Sequence, residues 1–484
     1  MTYMKTGLLL LFFIYLTSFA QQITINNTLP RKDLNGEIVD AHDGRIILFE
    51  DTFYWYGTAY GDSNGFTKAN QYQCYSSKDL MSWKHEGSLL KEQPTGVYYR
   101  PHVIYNEKTK HYVLWYNWYP TLWDGKFGVA VSKNPTGPFK IVNKDVKMAN
   151  SAVGVGDFGL FVDNDGTGYI SYNTIQDHQV SIEKLSDDYV SSTLENGGII
   201  AKYMEAGAMF KRKNNYYLLT DYTCCFCDEG SGARVYRSTD PMKGFSLTGN
   251  INRYPGIFTP VLIDGVKRGT QYATLTKSQK ENTFQNIQVH TTSPISLDQL
   301  TLYKFTGNKP DNCGDTSIPY VHPDITSPVV ELSYHNGKEW ITIEDVEQNM
   351  ERTALQQEII FSFSEISTTK IRITPLEYTM KDIFLNEIVL SRKTDQISNS
   401  VLTAYITLDN IPQKPIIPAQ QSYIMALPTT KGEQFIWIGD LWGSASDNIK
   451  GHDYQYWSTP LNFNPDGSIQ SLEWTDEWSV ELKK

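Results

Sequence analysis

Short aromatic and β-branched runs alternate with Gly, Asn and Asp turns along this chain of 484 residues, and helical periodicity is hardly visible after residue 20. A unit recurs: an apolar strand, a polar turn, then an aromatic-rich strand. Ile46-Ile47-Leu48-Phe49 leads to Phe53-Tyr54-Trp55-Tyr56, and Val103-Ile104-Tyr105 leads to Tyr112-Val113-Leu114-Trp115-Tyr116. Leu160-Phe161-Val162 leads to Tyr169-Ile170-Ser171-Tyr172, and Ala208-Met209-Phe210 leads to Tyr216-Tyr217-Leu218-Leu219. Two more strands follow each pair, as at 128–132 and 138–141. The units begin at Asp43, Pro101, Asp157 and Glu205, which are 58, 56 and 48 residues apart. A period of about 50 residues with four strands per unit is a propeller blade. A fifth unit runs from Ser422-Tyr423-Ile424-Met425 to Phe435-Ile436-Trp437-Ile438, but Gln421 lies 216 residues beyond Glu205. That step is roughly four blade lengths where one is expected. The pattern predicts an all-β chain, a five-bladed β-propeller with an inserted β-sandwich domain. Its expected segments are 21–254 for blades one to four, 255–415 for the insert and 416–484 for the last blade and closure.

The first 20 residues read as a signal peptide. Lys5 precedes an apolar run over 7–16, and Ser18-Phe19-Ala20 puts small residues at −3 and −1 of a cleavage site. That run is too short for a membrane span, so export to the periplasm or the outside is the expectation, with no membrane partner. With 43 Lys+Arg against 54 Asp+Glu the formal charge is −11. No long basic run appears, which excludes nucleic acid as the main partner. The 31 Tyr and 11 Trp suit a β-rich core, and they also suit sugar binding, where flat rings stack on sugar faces. Five cysteines (Cys74, Cys224, Cys225, Cys227 and Cys313) leave one unpaired. Export favours a disulfide within the 224–227 cluster or from it to Cys74 or Cys313. Asp163-Asn164-Asp165-Gly166 reads as a hairpin turn rather than a calcium loop.

Three carboxylates stand at the start of the innermost strand of three blades, and those starts converge on the axis at one face. Glycoside hydrolysis needs such convergence: one carboxylic acid protonates the leaving oxygen while a carboxylate activates water on the other side of the sugar. The stretches around them resemble glycoside hydrolase family 43. Asp43-Gly44-Arg45-Ile46-Ile47, ending in Phe53-Tyr54-Trp55-Tyr56-Gly57, is similar to the family's first blade, whose leading Asp is the general base. Gly156-Asp157-Phe158-Gly159-Leu160-Phe161 is similar to the stretch whose Asp tunes the acid's pKa and orients it. Glu205-Ala206-Gly207-Ala208-Met209-Phe210 is similar to the stretch whose Glu is the general acid. The resemblance covers roughly 30–250 and 416–482. The insert's segments at 329–334, 337–340, 370–374 and 384–390 resemble discoidin-like carbohydrate-binding modules.

The resemblance also carries departures. Many family members place a fifth-blade His near a metal on the axis, where this chain reads Ala419-Gln420-Gln421-Ser422. That stretch, Gly439-Asp440-Leu441-Trp442 and Trp474-Thr475-Asp476-Glu477-Trp478 resemble the exo-β-1,3-galactanase branch. In that branch the base Asp is typically Gly and a Glu precedes Arg-Pro in the second blade; here Asp43 is present and Tyr99 precedes Arg100-Pro101. The resemblance requires no cofactor and is compatible with a structural calcium or sodium ion on the axis; no metal ligands are identified. Candidate sugar contacts are His42, Arg100, Trp118, Trp123, Gln421 and Trp442, with Arg100 also suited to pairing with a catalytic acid. The resemblance implies a secreted, exo-acting, inverting hydrolase. It would remove arabinofuranosyl or galactosyl (galactofuranosyl) residues from an oligo- or polysaccharide such as arabinogalactan. The alternatives are a non-catalytic, lectin-like propeller and an exo-β-1,3-galactanase.

Overall fold

The computed structural model describes residues 21–483 apart from 122, 151–153, 202–203, 223–225, 227–232, 253–260, 264–265, 268–272, 277–286, 306–328, 353–355, 378–381, 393–415, 446 and 448. Strand β1 (Gln21–Asn26) comes first, and four sheets of four antiparallel strands follow. The first is β2 (His42–Phe49), β3 (Thr52–Ala59), β4 (Gln71–Ser77) and β5 (Lys84–Ser88); the second is β6 (Val97–Asn106), β7 (His111–Tyr119), β8 (Lys126–Ser132) and β9 (Lys140–Asn143). The third is β10 (Val155–Val162), β11 (Gly168–Thr174), β12 (Val180–Leu185) and β13 (Ser192–Asn196); the fourth is β14 (Met204–Arg212), β15 (Asn215–Tyr222), β16 (Arg234–Ser238) and β17 (Ser246–Asn250). A sheet of nine strands intervenes: β18 (Val261–Ile263), β19 (Val266–Lys267), β20 (Ala273–Thr276), β21 (Ile287–Phe305), β22 (Val329–His335), β23 (Trp340–Thr342), β24 (Glu347–Arg352), β25 (Gln356–Glu377) and β26 (Asp382–Ser391). The last sheet joins both chain ends: β27 (Gln420–Thr429), β28 (Gly432–Leu441) and β29 (Tyr454–Pro460), with β30 (Glu477–Leu482) paired along its length to β1.

The innermost strands β2, β6, β10, β14 and β27 touch in that order, and β27 returns to β2, which closes a five-bladed propeller. The aromatic second strands explain why the blades adhere. Tyr56, Tyr72, Tyr98 and Tyr116 fill the first seam, and Trp115, Phe127, Phe158 and Ile170 the second. Trp55, Trp83 and Trp457 meet edge-on at 5.2–6.4 Å where the last blade joins the first, the offset arrangement that ring quadrupoles favour. Ile23 and Ile25 of β1 are buried in that same cluster, so the N-terminal strand helps to seal the ring.

Every innermost strand slips register against its neighbour near its start. The slips lie between His42 and Arg45, Tyr99 and His102, Val155 and Phe158, Ala206 and Met209, and Gln421 and Tyr423. Such bulges bend a strand and re-aim its side chains. Asp43 and Arg100 sit in two of them with φ of +51° and +48°.

In the intervening sheet β21 and β25 run 19 and 22 residues and pair with each other across two register shifts. They carry the pairing from one half of the sheet to the other, as strands do at the corners of packed layers. Leu300, Leu302, Ile359, Phe361, Ile371 and Leu390 form a core of their own there. Cys74 is a free thiol, which corrects the reading of it as a disulfide partner of the 224–227 cluster. It is buried inside β4 opposite Tyr56, in the seam between the first two blades. Cys224, Cys225, Cys227, Cys313 and the signal segment lie outside the described residues. Asp163 and Gly166 make the turn between β10 and β11, with Gly166 at φ +82° and Asp163 accepting from Lys211 Nζ at 2.7 Å. Among the described residues no helix is long and apolar enough to cross a membrane.

Candidate active site

The bulged strand starts open into a cleft at one end of the propeller. Asp43 enters it from β2, Arg100 from β6, Asp157 from β10, Glu205 from β14 and Gln420 from β27. The walls are aromatic: Tyr60 and Phe66 from the first blade, Tyr99 and Tyr119 from the second, and Trp442 from the fifth. Phe226, on the loop after β15, packs edge-on against Tyr60 at 5.4 Å, Phe66 at 5.0 Å and Trp442 at 5.1 Å. Gly65, at φ +119°, makes room for it: a Cβ there would lie 2.7 Å from the Phe226 ring.

The Asp43 carboxylate is only 6% exposed. Its Oδ1 accepts from Thr58 Oγ1 at 2.7 Å and from the Arg100 backbone N–H at 3.0 Å, and its Oδ2 accepts from the Tyr60 hydroxyl at 2.5 Å. One acceptor site on Oδ2 therefore stays available toward the cleft. Burial pushes the Asp43 carboxyl up to about 7; Arg100 opposes this, Asp440 adds to it, and the Tyr60 and Thr58 bonds oppose it. Arg100 is 2% exposed and its Nη2 lies 2.6 Å from Asp157 Oδ2. Burial works against its charge, but the carboxylates of Asp157, Asp221 and Asp43 outweigh it and hold the guanidinium protonated. Burial and the Asp43 charge likewise raise the Tyr60 phenol, which keeps it a donor. Glu205 is buried; its Oε2 accepts from Gln420 Nε2 at 3.2 Å, and His178 Nδ1 stands 3.9 Å from its Oε1. Gln420 in turn accepts from Trp442 Nε1 at 2.8 Å.

The three carboxylates, Arg100, Trp123 and Trp442 thus share one cleft, with Arg100 bound to Asp157 rather than left for sugar alone. Three candidate contacts lie elsewhere. His42 precedes the bulge and is buried behind the wall, its ring 4.9 Å from Trp442 and its Nδ1 3.1 Å from Asp440. Trp118 packs on Tyr98 at 6.0 Å and donates to the Lys144 carbonyl at 2.7 Å, as a core residue between blades. Gln421 turns the other way from its neighbour: its Oε1 accepts from Trp437 Nε1 at 3.0 Å, and Gln420 takes the place foreseen for it. Tyr60, Phe66, Tyr99, Tyr119, Asn173, Ile175, His178 and Phe226 were not foreseen. Phe66, Ile175, His178 and Phe226 lie outside the strands, where no pattern marks them; Tyr99, Tyr119 and Asn173 stand at the ends of β6, β7 and β11, and Tyr60 one residue past β3.

Two residues on from Asp43 and Arg100, Arg45 and His102 reach the innermost strand of the third blade: Arg45 Nη1 donates to the Leu160 carbonyl at 3.4 Å, and the His102 ring packs on Phe158 at 4.9 Å. The Arg45 guanidinium donates to Tyr423 at 2.6 Å and lies over its ring, and its charge, after burial, depresses the pKa of His102. Among the described residues no group of three or more His, Cys, Asp or Glu side chains is arranged to hold a metal ion.

Residues 38–255 match the family model for glycosyl hydrolases family 43. An arabinoxylan arabinofuranohydrolase of Bacillus subtilis (strain 168) is 23% identical over 288 residues, 50% of this chain and 54% of that protein. The chain thus spans about half the length of that relative. An exo-β-1,3-galactanase from Clostridium thermocellum superposes with a TM-score of 0.52 at 19% identity, over 95% of this chain and 67% of that one. A family 43 β-1,3-galactosidase solved with galactodeoxynojirimycin gives 0.51 at 18% identity, over 94% of this chain and 99% of that one. At such identities the likeness establishes a common fold.

Proposed function

We propose that the chain, whose residues 38–255 match the family model for glycosyl hydrolases family 43, is an exo-acting, inverting glycoside hydrolase that removes terminal arabinofuranosyl or galactosyl (galactofuranosyl) residues from arabinogalactan-type plant polysaccharides. One observation carries this reading: carboxylates from three blades meet in a single cleft walled by aromatic rings. Glu205 is the general acid that protonates the leaving oxygen. Asp43 is the general base, and its Oδ2, engaged once by Tyr60, takes the proton of the attacking water. Asp157, tied to Arg100, fixes the charge between them. The aromatic walls stack on the sugar faces, and Phe226 with Trp442 narrows the cleft to fit a chain end. The segment over 1–20 supports secretion, and the inserted sheet is read as a carbohydrate-binding module on the resemblance of its strands.

Glu205→Gln tests the core of this reading, because it keeps the size of the side chain and removes the transferable proton. Turnover on the natural glycan should fall on the order of 10²–10⁴-fold, with a much smaller loss on aryl glycosides whose leaving group needs no proton. Near-normal activity on the glycan would refute the acid, whereas sugar binding by a wild type that hydrolyses no glycoside would favour a sugar-binding propeller. A panel of aryl arabinofuranosides, galactosides and galactofuranosides, with arabinogalactan and β-1,3-galactan, identifies the sugar. Activity confined to β-1,3-galactan would make the chain an exo-galactanase. Proton NMR of the fresh product should show inversion.

A further inference from the structure

We propose that Asp440, clasped by His42, is a positioning residue of the site: from the fifth blade it holds the left-handed turn that aims the Asp43 carboxylate into the cleft, and its charge bears on that carboxylate. The proposal rests on the reading of Asp43 as the general base.

A residue with a Cβ at φ +51° is strained and persists only where its surroundings enforce it. Asp440 supplies the enforcement. Its Oδ2 accepts the Asp43 backbone N–H at 3.0 Å and the Ser422 hydroxyl at 2.8 Å, and its Oδ1 accepts His42 Nδ1 at 3.1 Å and Gln455 Nε2 at 3.0 Å. Four donors from β2, β27 and the start of β29 thus saturate a carboxylate that is 2% exposed. Asp440 does not line the cleft. It therefore acts on the cleft through the residues it holds, Asp43 directly and the cleft walls by way of His42. The turn has little room to relax, because a Cβ on Gly44 would lie 1.9 Å from the Tyr56 carbonyl oxygen.

His42 completes the clasp. It is 1% exposed, with Nε2 3.7 Å from Asp40 Oδ1 and its ring against Trp442 and Tyr60, both of them cleft walls. Burial opposes its protonation, but the bond to Asp440 and the charges of Asp440, Asp40 and Asp43 outweigh burial and raise its pKa. The groups facing Asp43 are then Arg100, with Asp157 behind it, the donors Tyr60 and Thr58, and the Asp440–His42 pair. Removing the Asp440 charge should lower the Asp43 pKa, and removing the His42 charge should raise it.

The test is the pH dependence of kcat and KM on an activated aryl glycoside for wild type, Asp440→Asn, His42→Gln and Asp43→Asn. Asp440→Asn should lower kcat about 10–100-fold, as lost supporting bonds do, with KM within about 3-fold. Its acid limb, where the base protonates, should move to lower pH. In His42→Gln the acid limb should move to higher pH. A role confined to folding would lower the melting temperature of both variants without shifting the limbs in opposite directions. The proposal is overturned if neither limb moves, if both move the same way, or if only KM changes. Should Asp440→Asn fail to fold, the upward limb in His42→Gln decides alone. Wild-type turnover by Asp43→Asn would instead sink the base itself. An inactive Asp43→Asn beside a wild-type-like Asp440→Asn would sink the positioning role only.

Discussion

Asp43→Asn should stabilise the protein at alkaline pH while it abolishes turnover. Burial holds the Asp43 carboxyl up to about 7 from the ordinary 3.8, with Arg100 offsetting only part of the effect. A raised carboxyl contributes stability that is fully present below the unfolded pKa, about 3.9, and is lost as pH rises through the folded value. Three units at about 1.36 kcal/mol each make the ionised carboxylate cost at most about 4 kcal/mol at pH 8. Asparagine has nearly the same shape and no charge, so this cost disappears. Its carbonyl oxygen can keep the Thr58 and Arg100 donors at 2.7 and 3.0 Å. The Tyr60 hydroxyl, 2.5 Å from the other oxygen, must turn from donor to acceptor. Exchanging a charge-assisted bond for a neutral one costs about 1–2 kcal/mol. The balance is a gain of about 2–3 kcal/mol at pH 8, or a few degrees in Tm. At pH 3.5, below the unfolded value, where the carboxyl is largely protonated in both states, the gain should vanish. Denaturant and thermal unfolding of both proteins at the two pH values measure it. A difference that does not change with pH, or a wild type more stable than the variant at pH 8, would refute the claim that ionised Asp43 is held against its solvation.

Two further substitutions probe the rest of the site. Arg100→Met strands Asp157, 2.6 Å from the lost guanidinium, and should cost about 3 kcal/mol in chemical denaturation, as removing one partner of a largely buried pair does. Because Arg100 lowers the Asp43 pKa, the acid limb of any remaining activity should also move to higher pH. Gly65→Ala should raise KM about 3–10-fold by displacing Phe226 from the wall, since its Cβ would lie 2.7 Å from that ring at φ +119°. Gly61→Ala is the control in steady-state kinetics: it carries a positive φ of +52° with nothing within 4 Å of the added carbon.

The blades were legible because their period is written in local pattern. An apolar run three residues on, at Ile46, Val103 and Leu160, fixes where each first strand starts, and the strand start is what brings Asp43, Arg100 and Asp157 to one cleft. What lies beside a bulge was not legible. Strand side chains alternate with a period of two, and an inserted residue resets the alternation without a mark of its own. Gln420 and Gln421 are chemically identical neighbours, yet only Gln420 reaches Glu205, while Gln421 bonds Trp437. The same rule turns His42 to the back of the wall while Asp43 faces the cleft. Trp118 was a candidate sugar contact, but its indole N–H has a fixed acceptor in the Lys144 carbonyl and its face has Tyr98.

The contacts that sequence motifs miss most completely are those made by ring closure, and they are the ones that flank Glu205 and Asp43. Gln420 meets Glu205 across 215 residues of sequence, and Asp440 meets the Asp43 backbone across 397. Both come from the fifth blade, which the inserted sheet separates from the fourth along the chain. A residue scan around Asp43 or Glu205 therefore sees half of each residue's surroundings. The missing half arrives only when β27 docks on β2 and β14, with β1 sealing the seam over Trp457. Stability and chemistry are joined at that seam. Loosening it removes the acceptor that holds Asp43 in its strained turn and the amide that meets Glu205 in one step. A variant that weakens the closure, far from any sugar, should thus lose turnover well before it loses the remaining four blades.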